Sequence, residues 1–453
     1  MRILVLNGSP KGENSVTLQT VRYLEAKTTD VSFEVLHVGQ RIRQYEKDFS
    51  EAEAAILRAD LLLFCYPVYT FLVPSQLHRF VELIKESGID LTGKFAAQIT
   101  TSLHFYDVTA HRFIRDNCDD LGLLYLEGLS ADMEDLLKPD GRAQAEAFLA
   151  HLRFAAENGV VPAPLYPNGR DAKPFVPVSV SKGEDVPKGG GRVAIVTDLD
   201  PNGSEALRAM LDCFRARLPY ETVLVDLRSF PFAGGCLGCF HCAADGTCVY
   251  RDGFDSFLRE RIQTADATVY AFSIRDHSMG YRMKLFDDRQ FCNGHRTVTM
   301  GKPVGYLIDG ALDAEPNLRT VIESRAEVGG NYLAGIATDE TDPDAEIGAL
   351  VKNLAYALEH GYRPPKTFYG VGGMKVFRDL IYQMRGLMKE DHRFYKKHGF
   401  YDFPQKRKGR IMGMYLVGAM MRNRSLQKKI GNRMTDGMLL PYKKVLEQAR
   451  EDF

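Results

Sequence analysis

Four cysteines crowd one short stretch, Gly234-Gly235-Cys236-Leu237-Gly238-Cys239-Phe240-His241-Cys242-Ala243-Ala244-Asp245-Gly246-Thr247-Cys248, with the spacing C-x2-C-x2-C-x5-C. Three thiolates on a tight, glycine-bearing loop can each ligate a different corner of one cubane, with the fourth reached after a short excursion. Structural zinc more often takes two separated ligand pairs. The spacing favours a 4Fe-4S cluster held by Cys236, Cys239, Cys242 and Cys248, with zinc or plain reduced thiols as the alternatives. His241 reads as a neighbour of the cluster or an exposed side chain, since four thiolates complete a ligand set. Cys65, Cys118, Cys213 and Cys292 stand alone in the sequence.

A second chemistry-bearing stretch lies near the start, Asn7-Gly8-Ser9-Pro10-Lys11-Gly12-Glu13-Asn14-Ser15-Val16-Thr17. It follows a short apolar run and opens onto a helical pattern. N–H groups at a helix N-terminus, including those around Asn14, Ser15 and Val16, can hold a phosphate, helped by the hydroxyls of Ser9, Ser15 and Thr17 and the charge of Lys11. The same residues could instead only cap the helix. The stretch is neither GxGxxG nor a Walker A sequence.

These two loops need a scaffold, and the hydrophobic pattern supplies one twice. Ile3 to Leu6, Ser32 to Val38, Asp60 to Cys65 and Phe95 to Thr100 read as strands alternating with helices, an α/β pattern with a parallel sheet covered on both faces. The cycle restarts with Val193 to Val196, Thr222 to Asp226, Ala267 to Phe272 and Val304 to Ile308. An ungapped match of Ala59-Asp60-Leu61-Leu62-Leu63-Phe64 with Ala265-Asp266-Ala267-Thr268-Val269-Tyr270 carries the repeat. The expected organisation is residues 1–160, a Pro/Gly-rich linker at 161–191, a second copy at 192–362, and an extension at 363–453. Two copies of one open sheet are expected to face each other as an internal pseudo-dimer.

In an open parallel sheet the loops after the first and third strands share one crevice. The third strand runs into Tyr66-Pro67-Val68-Tyr69 and the fourth into Thr100-Thr101-Ser102-Leu103-His104. Phosphate at the first loop, an aromatic ledge at Pro67, Val68 and Tyr69, and polar groups at Thr100, Thr101, Ser102 and His104 would suit flavin mononucleotide. Gly8-Ser9-Pro10-Lys11 with Ser15 and Thr17, then Pro67-Val68-Tyr69 with Pro74, resembles the NADPH-dependent FMN reductase family. The resemblance implies a flavodoxin-like fold, FMN at these loops and NAD(P)H as donor, with Lys11 where the family commonly has arginine. The cysteine loop is similar to that of iron-sulfur flavoproteins, relatives that carry a 4Fe-4S cluster beside FMN.

The copies have diverged. Asp198-Leu199-Asp200 stands opposite Gly8-Ser9-Pro10, and carboxylates there would repel a phosphate. Ser273-Ile274-Arg275 replaces Pro67-Val68-Tyr69, while the first copy has no cysteine where the metal loop would sit. Arg275, Arg289 and Arg296 could meet a flavin edge, a nicotinamide phosphate or an acidic partner, or could pair with Asp287 and Asp288.

Composition fits a folded protein: among 453 residues 45% are hydrophobic and 26% charged, with 58 Lys+Arg against 59 Asp+Glu. No apolar run reaches the roughly 18 residues that span a bilayer, and Met1 to Ser9 reads as strand and turn, so a cytoplasmic location is expected. The balance hides an asymmetry, because residues 363–453 carry 21 basic and 8 acidic residues. This basic, mainly helical extension admits packing on the acidic body, docking of an acidic redox partner protein, or membrane-surface contact. No nucleic-acid module accompanies the charge. The leading expectation is an oxidoreductase passing electrons from NAD(P)H or a reduced carrier through FMN to a quinone-like or nitroaromatic acceptor. A non-enzymatic electron carrier and a redox- or iron-sensing module are the rivals.

Overall fold

The computed structural model describes residues 1–159 and 190–420. The stretch read as a linker lies outside the described residues except for its last two, as does the extension beyond Met420. Residues Met1–Phe394 form one compact unit and Tyr395–Phe453 another. Both sheets and the first helix of the extension, Phe368–Gln383, belong to the first unit.

The first sheet holds β1 (Arg2–Asn7), β2 (Ser32–Leu36), β3 (Leu61–Pro67), β4 (Phe95–Ser102), β5 (Leu124–Tyr125) and β6 (Leu129–Asp132). Its order is β2-β1-β3-β4, with β5 and β6 both paired to β4, and every pairing is parallel. The second holds β7 (Arg192–Thr197), β8 (Glu221–Asp226), β9 (Ala267–Ser273), β10 (Pro303–Asp309) and β11 (Tyr332–Thr338), ordered β8-β7-β9-β10-β11. Both are the doubly wound 2-1-3-4-5 arrangement, whose ligand crevice opens where the order reverses beside the first strand. β1 and β3 are unbroken apolar runs because helices cover both faces; Ile3, Leu4, Val5 and Leu6 are all buried.

The halves meet through the helices Ser75–Ser87 and Gly280–Arg289, which pack on each other in the largest apolar core, with Phe80 and Phe286 buried there. The polar contacts across this seam are reciprocal. The Asp288 carboxylate accepts the Ser75 N–H at 2.7 Å, and the Glu82 carboxylate accepts the Tyr281 N–H at 2.7 Å. Each acid thus sits at the N-terminus of the opposing helix, where the dipole favours negative charge. In the register that aligns β3 with β9, Ser75 corresponds to Tyr281 and Glu82 to Asp288, so one pair of positions is used twice, as at an isologous interface.

The ledge turns repeat too. Tyr69 and Leu72 exchange backbone hydrogen bonds around Thr70 and Phe71, with φ of 40° and 69°, and Arg275 and Ser278 do so around Asp276 and His277, with φ of 50° and 62°. Two successive non-glycine residues at positive φ make strained, hairpin-type turns that surrounding packing must hold.

Candidate functional site

One cavity of about 480 Å³ lies at the crevice of the first sheet and reaches into the second half. Ser9, Lys11, Ser15, Val16, Thr17, Pro67, Val68, Tyr69, Thr101 and Ser102 line it from the first half, and Cys236, Cys239, Cys242 and Cys248 from the second. The two loops singled out in the sequence therefore open on the same space.

The first loop is held by its own polar atoms. Asn7 Nδ2 donates to the Gly12 carbonyl at 3.0 Å, its Oδ1 accepts the Ser9 N–H at 3.2 Å, and Ser9 Oγ accepts the Lys11 N–H at 3.3 Å. Ser15 caps the helix Val16–Lys27, its Oγ accepting the Leu18 N–H at 3.4 Å. The N–H groups of Val16 and Thr17 precede the first intrahelical bond, and both residues line the cavity. Thr17 Oγ1 and Thr101 Oγ1 lie 2.6 Å apart, tying this loop to the end of β4. Helix-terminal N–H groups, three hydroxyls and the Lys11 ammonium form a donor set suited to a phosphate, and the volume suits a cofactor of flavin size.

Three expected positions lie elsewhere. Asn14 is exposed and does not line the cavity. Thr100 is fully buried with its Oγ1 2.8 Å from His111 Nε2, and burial lowers the His111 pKa to about 4. His104 stands on a turn with φ of 53°, its side chain 55% exposed and paired to Asp107 at 2.9 Å. It pins the loop rather than facing the cavity. In the second half the corresponding turn is one residue shorter, and Ser204 occupies the helix-cap place of Ser15. Asp198 is half-buried there, and desolvation pushes its pKa up to about 6 against the pull of Arg275 and Arg282.

The cysteine loop reaches the first half through glycines. A Cβ on Gly238, whose φ is +58°, would stand 2.0 Å from the Tyr69 hydroxyl, and one on Gly235 would stand 2.5 Å from Ser75 Oγ. Gln76 Nε2 is 3.4 Å from the Cys236 carbonyl, and the Lys11 ammonium lies 5.6 Å from the centre of the Phe240 ring. Burial raises the Tyr69 phenol well above its usual range, with Cys236 and Asp288 adding to the effect. Burial also pushes the Cys236 thiol far up and that of Cys242 to about 11. Thiols so placed stay protonated until a cation is bound. Donors already point at the sulfurs: the Gly238 N–H is 3.5 Å from Cys236 Sγ, and Arg289 Nη2 is 3.9 Å from Cys248 Sγ. Among the described residues the side chains spaced for a single ion within 4.8 Å are Asp116, His277 and Glu315, not the loop's cysteines. Four thiols on one glycine-bearing loop are the kind of donor set that zinc and iron-sulfur centres take.

Arg289 is buried and pairs with Asp252 at 2.8 Å through both Nη atoms, not with the adjacent acids; Arg325 holds Asp287 and Lys284 holds Asp288. Cys292, isolated in the sequence, lines the same cavity near Cys242 and Cys248, and burial raises its thiol to about 12. A further part of the cavity wall comes from the helix Phe368–Gln383 through Val376, Phe377 and Leu380. Phe377 stacks on Phe105 at 4.2 Å and meets His295 at 4.8 Å, and the Tyr106 hydroxyl donates to the Tyr369 carbonyl at 2.7 Å. Buried Asp391 accepts from the His295 N–H at 3.2 Å and lies 3.1 Å from its Nδ1. Sequence reading missed Cys292, Phe377 and Asp391, since only the fold brings them to the loop.

Residues 1–112 match the family model described as NADPH-dependent FMN reductase. An iron-sulfur flavoprotein of Archaeoglobus fulgidus is 30% identical over 174 residues, covering 36% of this chain and 79% of the relative. Among solved structures, the flavoenzyme NAD(P)H:(acceptor) oxidoreductase FerB of Paracoccus denitrificans is 16% identical, covering 35% of this chain and 97% of its own, with a TM-score of 0.29. The NAD(P)H:quinone oxidoreductase of Methanothermobacter marburgensis is 15% identical, covering 36% and 98%, with a TM-score of 0.28. The chain belongs to the family of NADPH-dependent FMN reductases and iron-sulfur flavoproteins.

Proposed function

We propose that this chain is an FMN-dependent oxidoreductase that passes electrons from NAD(P)H to a small, flat, apolar acceptor of quinone or nitroaromatic type, with a 4Fe-4S cluster at Cys236, Cys239, Cys242 and Cys248. The observation that carries this reading is the single cavity lined by the phosphate-type loop of one half and the four cysteines of the other. When bound, FMN supplies two-electron hydride chemistry and the cluster one-electron exchange. Ser9, Ser15, Thr17 and Lys11 would hold the phosphate, while Pro67, Val68 and Tyr69 would fix the ring. The halves, read as an internal pseudo-dimer, then divide the work, one keeping the organic centre and the other the inorganic one.

The remaining walls bear on the acceptor. Phe105, Phe240, Phe291, Phe377 and Leu380 surround the space with apolar surface, which suits a planar apolar molecule and excludes water. One observation favours a second reading: Cys239 is exposed, so the cluster edge would lie near solvent, where an acidic carrier protein could exchange electrons.

Anaerobically purified full-length protein tests both. Flavin bands with a broad iron-sulfur shoulder, bleached by NADPH and restored by a small quinone, support the enzyme. Bleaching by reduced ferredoxin, with none from NADH or NADPH, supports the carrier. A preparation with neither flavin nor iron after anaerobic reconstitution refutes both.

A further inference from the structure

We propose that the second unit docks on the surface of an anionic phospholipid bilayer through the helix Lys408–Met420. This helix exposes apolar side chains around most of its circumference: Met412 is 64% exposed, Met414 60%, Tyr415 74% and Leu416 63%, and Ile411 and Met420 are exposed as well. A helix apolar all round belongs in an apolar medium, not in water. The run Ile411–Met420 rises about 15 Å at about 1.5 Å per residue, half of a bilayer's hydrocarbon thickness. It is long enough to sink among acyl chains and too short to cross, and no helix among the described residues is long and apolar enough to cross.

The flanking charge selects the kind of surface. Lys406, Arg407, Lys408 and Arg410 precede the run, Arg422 and Arg424 follow it in the sequence, and no acidic residue stands between Asp402 and Asp436. Cationic clusters on both sides of an apolar segment match an anionic leaflet with a hydrocarbon interior. Tyr401 and Phe403, stacked at 5.9 Å, add rings of the kind that settle at headgroup level. A second copy of the chain would bring like-charged flanks together, and an acidic protein would engage the flanks without requiring so much apolar surface between them.

Flotation of the full chain with vesicles tests the proposal. The chain should float with phosphatidylcholine vesicles containing about one-third phosphatidylserine, and not with phosphatidylcholine alone. Raising salt through the range that shortens the Debye length from about 10 Å to about 3 Å should weaken the association. Lys406→Gln and Lys408→Gln should each lower partitioning about fivefold. Met412→Asp with Leu416→Asp should abolish flotation while flavin content and far-ultraviolet dichroism stay unchanged. Absence of flotation with anionic vesicles at low salt overturns the proposal, as does flotation indifferent to both sets of variants. A wild-type dimer in sedimentation velocity that Leu416→Asp dissolves assigns the face to a second copy. Retention on an immobilised acidic carrier with the same Leu416 dependence assigns it to a protein. Either result also overturns the proposal.

Discussion

Replacing Gly238 with alanine tests the contact on which the shared cavity depends. Two costs are separable in the structure. Gly238 has φ of +58°, which an alanine adopts at a cost of about 1–2 kcal/mol. Its new Cβ would also stand 2.0 Å from the Tyr69 hydroxyl oxygen and 2.9 Å from Cζ, where real Cβ atoms keep 3.0 Å or more, so ledge and loop must part by about an ångström. Tyr69→Phe removes the nearer atom and leaves the backbone cost untouched. Chemical denaturation of wild type, Gly238→Ala, Tyr69→Phe and the double variant forms a double-mutant cycle. A coupling of about 0.5–3 kcal/mol is expected for residues in contact, with the double variant more stable than the sum of the singles predicts. FMN and iron content should fall together in Gly238→Ala and recover together in the double variant. Additive effects on stability, or loss of iron with full retention of FMN, would refute direct contact between the cysteine loop and the flavin ledge.

Other outcomes follow from individual contacts. Lys11→Gln should weaken FMN binding about 10- to 100-fold by removing a charge-assisted bond of about 1.5–3 kcal/mol, read by fluorescence titration of the flavin-depleted protein; riboflavin, which lacks the phosphate, should bind both forms equally. Lys284→Met leaves the fully buried Asp288 without its cationic partner at 2.5 Å and should destabilise the chain by about 3–5 kcal/mol, whereas replacing both residues with apolar ones should recover most of the loss. Asp120 accepts from Lys85 at 2.8 Å and stands 2.7 Å from His277 Nε2 across the seam, and its pKa is lowered to about 2 chiefly by hydrogen bonds and charge from these two, against desolvation. A carboxylate depressed in the folded state contributes stability above its unfolded pKa and loses it as pH falls. Acid titration should therefore show a loss between about pH 4 and pH 2 that Asp120→Asn removes; an unchanged acid profile would contradict the assignment.

How legible this was from sequence depended on whether a residue's partner lay nearby in the chain. The strands were readable because β1 and β3 are continuous apolar runs, and β9 repeats β3 in ungapped register down to the turn at Asp276 and His277. The crevice followed from topology alone. The partner of Arg289 was not readable, since Asp252 lies 37 residues earlier while two acids stand next to it in sequence. Thr100 and Thr101 looked equivalent, yet one bonds His111 and the other Thr17. The cavity wall from Phe368–Gln383 was hidden for a different reason. That helix makes its closest approach through glycines: a Cβ on Gly373 would meet Val328 at 2.6 Å and Phe105 at 3.0 Å, and one on Gly370 would meet Lys366 at 2.9 Å and Glu327 at 3.0 Å. Glycine at contact positions erases the apolar period that identifies a packed face.

As proposed above, one cleft holds an organic and an inorganic redox centre contributed by different halves. Diffraction from crystals of the anaerobically purified full chain, recorded on both sides of the iron absorption edge, measures this most directly. Iron scattering is expected to be bounded by Cys236, Cys239, Cys242 and Cys248, with FMN density running from Ser9 to Tyr69 in the same cavity. Iron at any other group of side chains, or flavin seated at Asp198 in the second half, would contradict it.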